Sequence, residues 1–228
     1  MGNEKDLRLA LDIATATGGA IIAAVMPALA IPVATVTVGA NAAGHSFIDR
    51  HLARSRAAVQ ETIEAAVVTA GITAEQLIAK IAADERLLLV FSDVVDSSIR
   101  SALHEKIRAM GRSLGKMAVD EALIDPESVW IGIYKVIERP HVRVLQILFS
   151  ERAKAFQSVY PDLYDAERLG SLTGLGVAVQ PILSTLTDIG ALELYSAQRS
   201  TSAMPEHYRE GKLARVLLSN LEGLSHTT

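Results

Sequence analysis

The sequence predicts a mainly α-helical protein: a helical bundle with an apolar N-terminal hairpin or membrane segment and a small C-terminal winged-helix-like module. Alanine, leucine and valine dominate and aromatic residues make up 4%, which favours helices because alanine and leucine lose little side-chain entropy there. Apolar residues recur at helical spacing from residue 50 to about residue 158. Near the end, a glycine, a strand pattern and a polar loop separate two helix patterns. The predicted domains are 1–48, 49–160 and 161–228.

Composition and motifs restrict the function. The net charge is −4, whereas a dedicated nucleic-acid binder usually has a strong basic excess. The chain has no cysteine, which excludes disulfides and cysteine metal sites. We find no nucleophile, phosphate-loop or zinc-helix motif. We therefore expect a protein that is not an enzyme and needs no cofactor or metal.

The N-terminal stretch Ile13–Gly44 contains no Asp, Glu, Lys or Arg. It is long enough to cross a bilayer, which takes about 20 apolar residues in a helix. Pro27 and Pro32 argue against a straight helix, because each removes a backbone donor. Small residues recur every four positions, a spacing that lets helices approach closely within a membrane. These membrane or helix-packing candidates are Ala16, Ala20, Ala24 and Ala28, with the two prolines.

Three interpretations of this stretch stay open. The leading one is a membrane segment, either a kinked span or a hairpin. The second is a hairpin buried in a soluble protein or in an oligomer, and the third is a cleaved signal ending near Ala40–Ala42. Arginines follow the stretch at Arg50, Arg54 and Arg56, so the positive-inside rule puts the C-terminal part in the cytoplasm. We expect an integral membrane protein with its C-terminal part in the cytoplasm, and a cytoplasmic protein is the alternative.

Helix patterns follow one another through the central region. The first runs from residue 49 to a stop at Gly71, and the second opens with Thr73 and Gln76 in capping-box spacing. An apolar helix follows from residue 84, and a fourth pattern begins at Ile99. The first helix should bury Leu52, Val59, Ile63, Ala66 and Ala70. The fourth should bury Ile99, Leu103, Ile107, Met110, Leu114 and Met117.

Prolines mark the starts of the next two helices. Asp125 is the expected N-cap of one, with Pro126 at its first position. Trp130 and Tyr134 share a face of this helix and are expected to anchor the core. Pro140 should start the helix that follows.

The C-terminal region has the layout of a winged helix. A change in composition near residue 160 indicates a domain boundary. A predicted helix ends at Gly190, and a short strand, a polar loop and a closing helix follow. We expect a small two-stranded wing between Ala191 and Glu210, docked on the helices on either side. The basic residues Arg209, Lys212 and Arg215 are balanced by nearby glutamates, a poor arrangement for phosphate binding. We expect a module for protein contact and no nucleic-acid partner.

One charged pattern stands out in the fourth helix. Basic side chains four residues apart are neighbours on a helix surface and can contact anionic headgroups or another polyanion. The alternative is an ordinary solvated face, which is the simpler interpretation. The candidate polyanion-contact residues are Arg100, Arg108, Arg112 and Lys116, with His104 between the first two.

The chain resembles the abortive-infection (Abi-alpha) proteins and related actinobacterial and phage proteins over roughly residues 84–222. In those, a leucine- and glycine-containing helix precedes a wing, and a second such helix closes the chain. The resemblance implies a role in phage defence or superinfection exclusion at a membrane, and brings no catalytic residues. It leaves the protein partner and the formation of a homo-oligomer open. The alternative function is that of a soluble winged-helix regulator that oligomerises through the apolar N-terminal hairpin. The matching positions are Leu183, Leu186, Gly190, Ala191, Leu192, Gly211, Leu213, Leu217 and Leu218.

Overall fold

A computed structural model of the chain describes residues 42–150, 164–195 and 207–223. The chain divides into two compact units, Met1–Gly132 and Ile133–Thr228. The division falls inside a helix. The domain boundary predicted near residue 160 lies outside the described residues and stays a prediction. Nine α-helices account for most of the described residues. The prediction of a mainly α-helical protein is confirmed.

The described part of the first unit, from residue 42 onward, consists of helices. Every element between residues 50 and 150 is helical, as the sequence predicts. The helices are α1 Ala42–Ala70, α2 Ala74–Ala83, α3 Glu85–Arg100, α4 His104–Val119 and α5 Ile124–Val136, with a 3-10 turn at Glu121–Leu123. The last of these continues into the second unit.

Local chemistry sets the ends of these helices. Gly71 follows α1 with a φ of 64°, a conformation that glycine adopts without a steric penalty. Thr73 and Gln76 form the predicted capping box at the start of α2. The predicted N-cap at Asp125 is wrong, because α5 begins one residue earlier, directly after a turn capped by Asp120.

The fourth predicted helix is interrupted, which corrects the prediction of one continuous helix from Ile99. Residues 101–103 are not helical. The Ser101 backbone N–H closes α3 by donating to the carbonyl oxygens of Ser97 and Ser98, and its hydroxyl accepts from the Leu103 N–H at 3.1 Å. Arg100 therefore ends α3, while the other candidate basic residues lie on α4.

Helices α1 and α4 pack with their backbones unusually close. A Cβ atom added at Gly111 would collide with the Thr62 carbonyl oxygen, and one added at Gly115 would collide with that of Ala66. The face of α1 that is buried therefore consists of small residues, Ser55, Ala58, Thr62 and Ala66. This corrects the prediction that Leu52, Val59 and Ile63 face inward; all three are half-buried.

The inward face predicted for α4 is confirmed. Five of its six predicted apolar positions are buried, and Ile99 is half-buried at the end of α3. The buried positions are Leu103, Ile107, Met110, Leu114 and Met117. On α5, Tyr134 is buried but Trp130 is only half-buried, so the expectation that both anchor the core holds for Tyr134 alone.

The second unit combines helices with a small sheet. Its strands pair antiparallel in the order β1–β3–β2. The elements are α6 Arg139–Phe149, β1 Tyr164–Asp165, α7 Ala166–Thr173, a 3-10 turn Gly176–Ala178, α8 Val179–Asp188, β2 Leu192–Tyr195, β3 His207–Glu210 and α9 Ala214–Glu222. The predicted pair of strands is confirmed, whereas β1 and the 3-10 turn were not predicted.

The hairpin of β2 and β3 is fixed to the end of α8. Gly190 ends the helix with a φ of 73°, as the sequence predicts. The Gly211 N–H donates to the Ala191 carbonyl oxygen at 2.9 Å, and Gly211 has no room for a side chain against the backbone of residues 190 and 191. Leu192 and Tyr208 then lie buried on the sheet, so the hairpin belongs to the core of this unit.

No helix in the described ranges is both long enough and apolar enough to cross a bilayer by itself. Two pairs of consecutive helices, bent by 92° and 113° at their junctions, reach the required length and composition together.

Candidate functional site

The predicted membrane or helix-packing residues lie outside the described part of the chain. Their role stays a prediction, and so does the choice between a span and a hairpin. These residues are Ala16, Ala20, Ala24, Pro27, Ala28 and Pro32.

The candidate polyanion residues of the first unit have acidic neighbours. Arg100 Nη2 lies 2.7 Å from Asp96 Oδ2, one turn earlier on α3. Arg108 Nε lies 3.6 Å from Glu61 Oε1 on α1. Arg112 is half-buried and also makes an interaction. Such surface pairs add at most about 1 kcal/mol to stability, but they reduce the positive charge that this surface offers to a polyanion.

The remaining candidate, Lys116, belongs to a polar cluster at the junction of α4 and α5. Its Nζ atom donates to Glu127 Oε1 at 2.7 Å. The Ser113 hydroxyl donates to the other carboxylate oxygen, Glu127 Oε2, at 2.5 Å. Glu127 is 7% exposed and Ser113 is 2% exposed. Burial of a carboxylate is costly unless it is hydrogen-bonded, and here both oxygens have donors.

This cluster has the residue types of a catalytic site but not its geometry. A serine nucleophile must reach a substrate and needs a neighbouring base that is free to take its proton. Ser113 is inaccessible to a substrate, and the carboxylate that receives its hydrogen bond is already paired with an ammonium group. We conclude that the cluster holds the start of α5 against α4. Sequence reasoning missed it because its members come from two helices and follow no motif.

Two arginines of the second unit, Arg209 on β3 and Arg215 on α9, are also paired with carboxylates. Arg209 donates through Nε and Nη2 to Glu193 Oε2 at 2.9 and 2.6 Å, and the two residues face each other across β3 and β2. Arg215 makes a two-point contact with Glu210, at 2.5 and 3.2 Å. The hydrogen bond and the negative charge of Glu210 raise the pKa of Arg215 above its ordinary value.

Arg215 makes a further contact with an aromatic ring. Its guanidinium carbon lies 5.5 Å from the centre of the Phe149 ring, within the range of a cation–π interaction. The side chain of Arg215 therefore contacts both α6 and β3, and its positive charge is balanced by Glu210 within the unit. Over the described residues of this unit, acidic and basic side chains are equal in number.

The described part of the chain contains no cluster of metal-ligating side chains, and two of its histidines are hydrogen-bonded to glutamate residues. No group of three or more His, Asp or Glu side chains lies close enough there to hold a metal ion. His104 is bound through Nδ1 to Glu61 Oε2 at 2.7 Å. His141 accepts a hydrogen bond from the Glu138 backbone N–H at the start of α6.

Comparison of the chain with protein-family models, with curated proteins and with solved structures gives no match. The resemblance to the abortive-infection proteins therefore stays an expectation from the sequence.

Proposed function

We propose that this chain is a non-enzymatic, membrane-associated protein that acts through protein contacts made by a winged-helix module in its second unit. The observation that carries the proposal is the pairing of Arg209 and Arg215 with carboxylates. Because their charges are matched within the module, the module offers a neutral surface, which suits a protein partner better than a polyanion.

The order of elements supports a winged-helix module. Helix α6 comes first, followed by β1, the two helices α7 and α8 joined by a tight turn, and the hairpin of β2 and β3. The strand order β1–β3–β2 brings the first strand beside the last. Two helices joined by a short turn form the core of a helix-turn-helix unit, and the hairpin supplies the wing.

The sequence of α8 favours a protein partner over DNA. In DNA-binding helix-turn-helix proteins the second helix of the motif lies in the major groove. That position is taken here by α8, which has no Lys or Arg and ends in Asp188. Apart from Asp188, its exposed residues are the uncharged Gln180, Pro181 and Ser184. Without basic groups this helix lacks the phosphate contacts on which most DNA affinity depends.

The membrane part of the proposal rests on the N-terminal sequence. Ile13–Gly44 carries no charged residue, and its spacing of small residues suits close helix packing in a bilayer. We place the protein at the bacterial inner membrane with both described units in the cytoplasm. Phage defence is the biological role that the resemblance to abortive-infection proteins implies.

A phage plating assay tests the proposal. Cells that express the chain should plate at least one phage at reduced efficiency. A variant in which Arg209, Lys212 and Arg215 are glutamines should protect equally well, because exposed ion pairs contribute little to stability and these charges are not needed for contact. Loss of protection in this variant, together with salt-sensitive DNA binding by the purified parent chain, would contradict a protein-contact module.

A further inference from the structure

A cleft of about 290 Å³ opens on the first unit where α1 passes the loop between α3 and α4. Its floor is buried, since Ala58, Ser101 and Ile107 are 6%, 3% and 2% exposed. Arg54 and His104 line its mouth and are exposed. The cleft thus places the guanidinium of Arg54 beside the buried alkyl groups of Ala58 and Ile107. Ligand pockets generally combine apolar walls with a few polar groups.

Arg54 differs from the arginines that form ion pairs in this unit. Arg86 and Arg100 each have a carboxylate 2.7 Å away. Arg54 instead donates through Nη2 to the Ser101 backbone oxygen at 3.3 Å, and it has no carboxylate partner among the described residues. A guanidinium carries five N–H donors, so most of them stay available. Their planar arrangement matches a carboxylate.

The acidic group that contacts His104 at the mouth of the cleft is Glu61, which also has a basic neighbour on α4. Glu61 accepts from His104 Nδ1 at 2.7 Å and lies 3.6 Å from Arg108 Nε. Its charge is therefore already matched by basic neighbours. The bond to Glu61 also holds the His104 ring in position at the mouth of the cleft.

We propose that this cleft binds a small monocarboxylate with an unbranched alkyl chain, with its carboxylate on Arg54 and its chain over Ala57, Ala58 and Ile107. The volume of 290 Å³ admits about ten groups the size of a water molecule, which takes up about 30 Å³ in the liquid. Octanoate has that size. For a ligand so small, a dissociation constant of about 1 mM is expected.

The test is an NMR titration of the isotope-labelled full-length chain with sodium octanoate. The amide signals of residues 101–107 should shift as octanoate is added. The shifts should reach half of their final size at an octanoate concentration near the expected dissociation constant. Acetate, which lacks the chain, and octanol, which lacks the charge, should each bind at least about tenfold more weakly. Arg54→Met keeps the aliphatic stem but removes the charge, and should weaken octanoate binding about tenfold.

Two further variants complete the design. Arg56→Met is the matched control, since Arg56 is an exposed arginine on the same helix that does not line the cleft; it should bind octanoate like the parent. Ala57→Leu should fill the cleft and abolish binding without unfolding the chain, because Ala57 is exposed. The proposal would be overturned if no amide signal showed a saturable shift at an octanoate concentration about ten times the expected dissociation constant. It would also be overturned if octanol bound as tightly as octanoate. The same holds if Arg54→Met and Arg56→Met weakened octanoate binding equally.

Discussion

Replacing Gly111 with alanine should force α1 and α4 apart. The new Cβ atom would lie 2.8 Å from Ala65 Cβ and still closer to the Thr62 carbonyl oxygen. A backbone carbonyl inside a helix cannot rotate away, so one helix has to shift. Overpacking of this kind costs about 1–3 kcal/mol.

The substitution also has a favourable component that must be separated from the collision. Alanine is preferred to glycine inside a helix by about 1 kcal/mol, so Gly111→Ala should lower the free energy of unfolding by a net amount of up to about 2 kcal/mol. Gly132 provides the control. It lies within α5, is exposed, and has no atom within 4 Å of an added Cβ. Gly132→Ala should therefore raise the stability by up to about 1 kcal/mol.

Urea unfolding followed by far-ultraviolet circular dichroism measures both variants against the parent chain. The two free energies of unfolding should differ by about 1–3 kcal/mol, which isolates the cost of the collision because helix propensity contributes equally to both. Equal stabilisation by the two substitutions would refute the close approach of α1 and α4. Similar m-values are needed for the comparison, since a changed slope reports a different unfolding transition.

Two further substitutions test polar contacts of the first unit. Glu127→Ala should lower the free energy of unfolding by about 1–3 kcal/mol, because the buried Ser113 hydroxyl loses its acceptor; a change within about 0.5 kcal/mol, as at ordinary surface sites, would argue against the cluster. Thr73→Ala should raise the pKa of Glu75, which the Glu75 backbone N–H and then the Thr73 hydroxyl hold below its ordinary value. A lowered carboxyl pKa stabilises the folded state above the unfolded pKa, and this contribution is lost as the pH falls through the folded pKa. An NMR titration that finds the same Glu75 pKa in both chains would contradict the assignment.

Short-range patterns predicted much of the fold. The capping box of Thr73 and Gln76, the stop at Gly71 and the inward face of α4 depend on residues a few positions apart. The strand pair at the C-terminal end was predictable for the same reason, since it follows the helix stop at Gly190 and a polar loop separates its two strands in the sequence. Each of these features is decided by local backbone preference or by helical periodicity.

The errors arose where distant residues decide the structure. The buried face of α1 consists of small residues because Gly111 and Gly115, on another helix, allow close contact. Periodicity in α1 alone favours its larger apolar residues instead. The spacing of two glycines four residues apart in α4 is a signal that could have indicated this contact.

The candidate site was harder to predict from the sequence than the fold. Basic residues are easily recognised in a sequence, but their acidic partners Glu61, Glu127 and Glu193 lie on other elements. Whether a charge is available to a ligand depends on these long-range pairs. The interruption after Arg100 has a local origin instead, since the Ser101 hydroxyl accepts a hydrogen bond from the Leu103 N–H two residues later.

Membrane fractionation of the chain beside two variants of Ala24 tests the proposed function most directly. The parent should sediment with the membranes. Ala24→Leu should sediment too, because leucine is favourable in lipid, although helix association should weaken. Ala24→Arg should shift to the soluble or aggregated fraction, since a charge near the bilayer centre costs about 2.5–3.5 kcal/mol. A parent that is wholly soluble, with both variants aggregated, would contradict membrane association and favour a hairpin buried in a soluble protein.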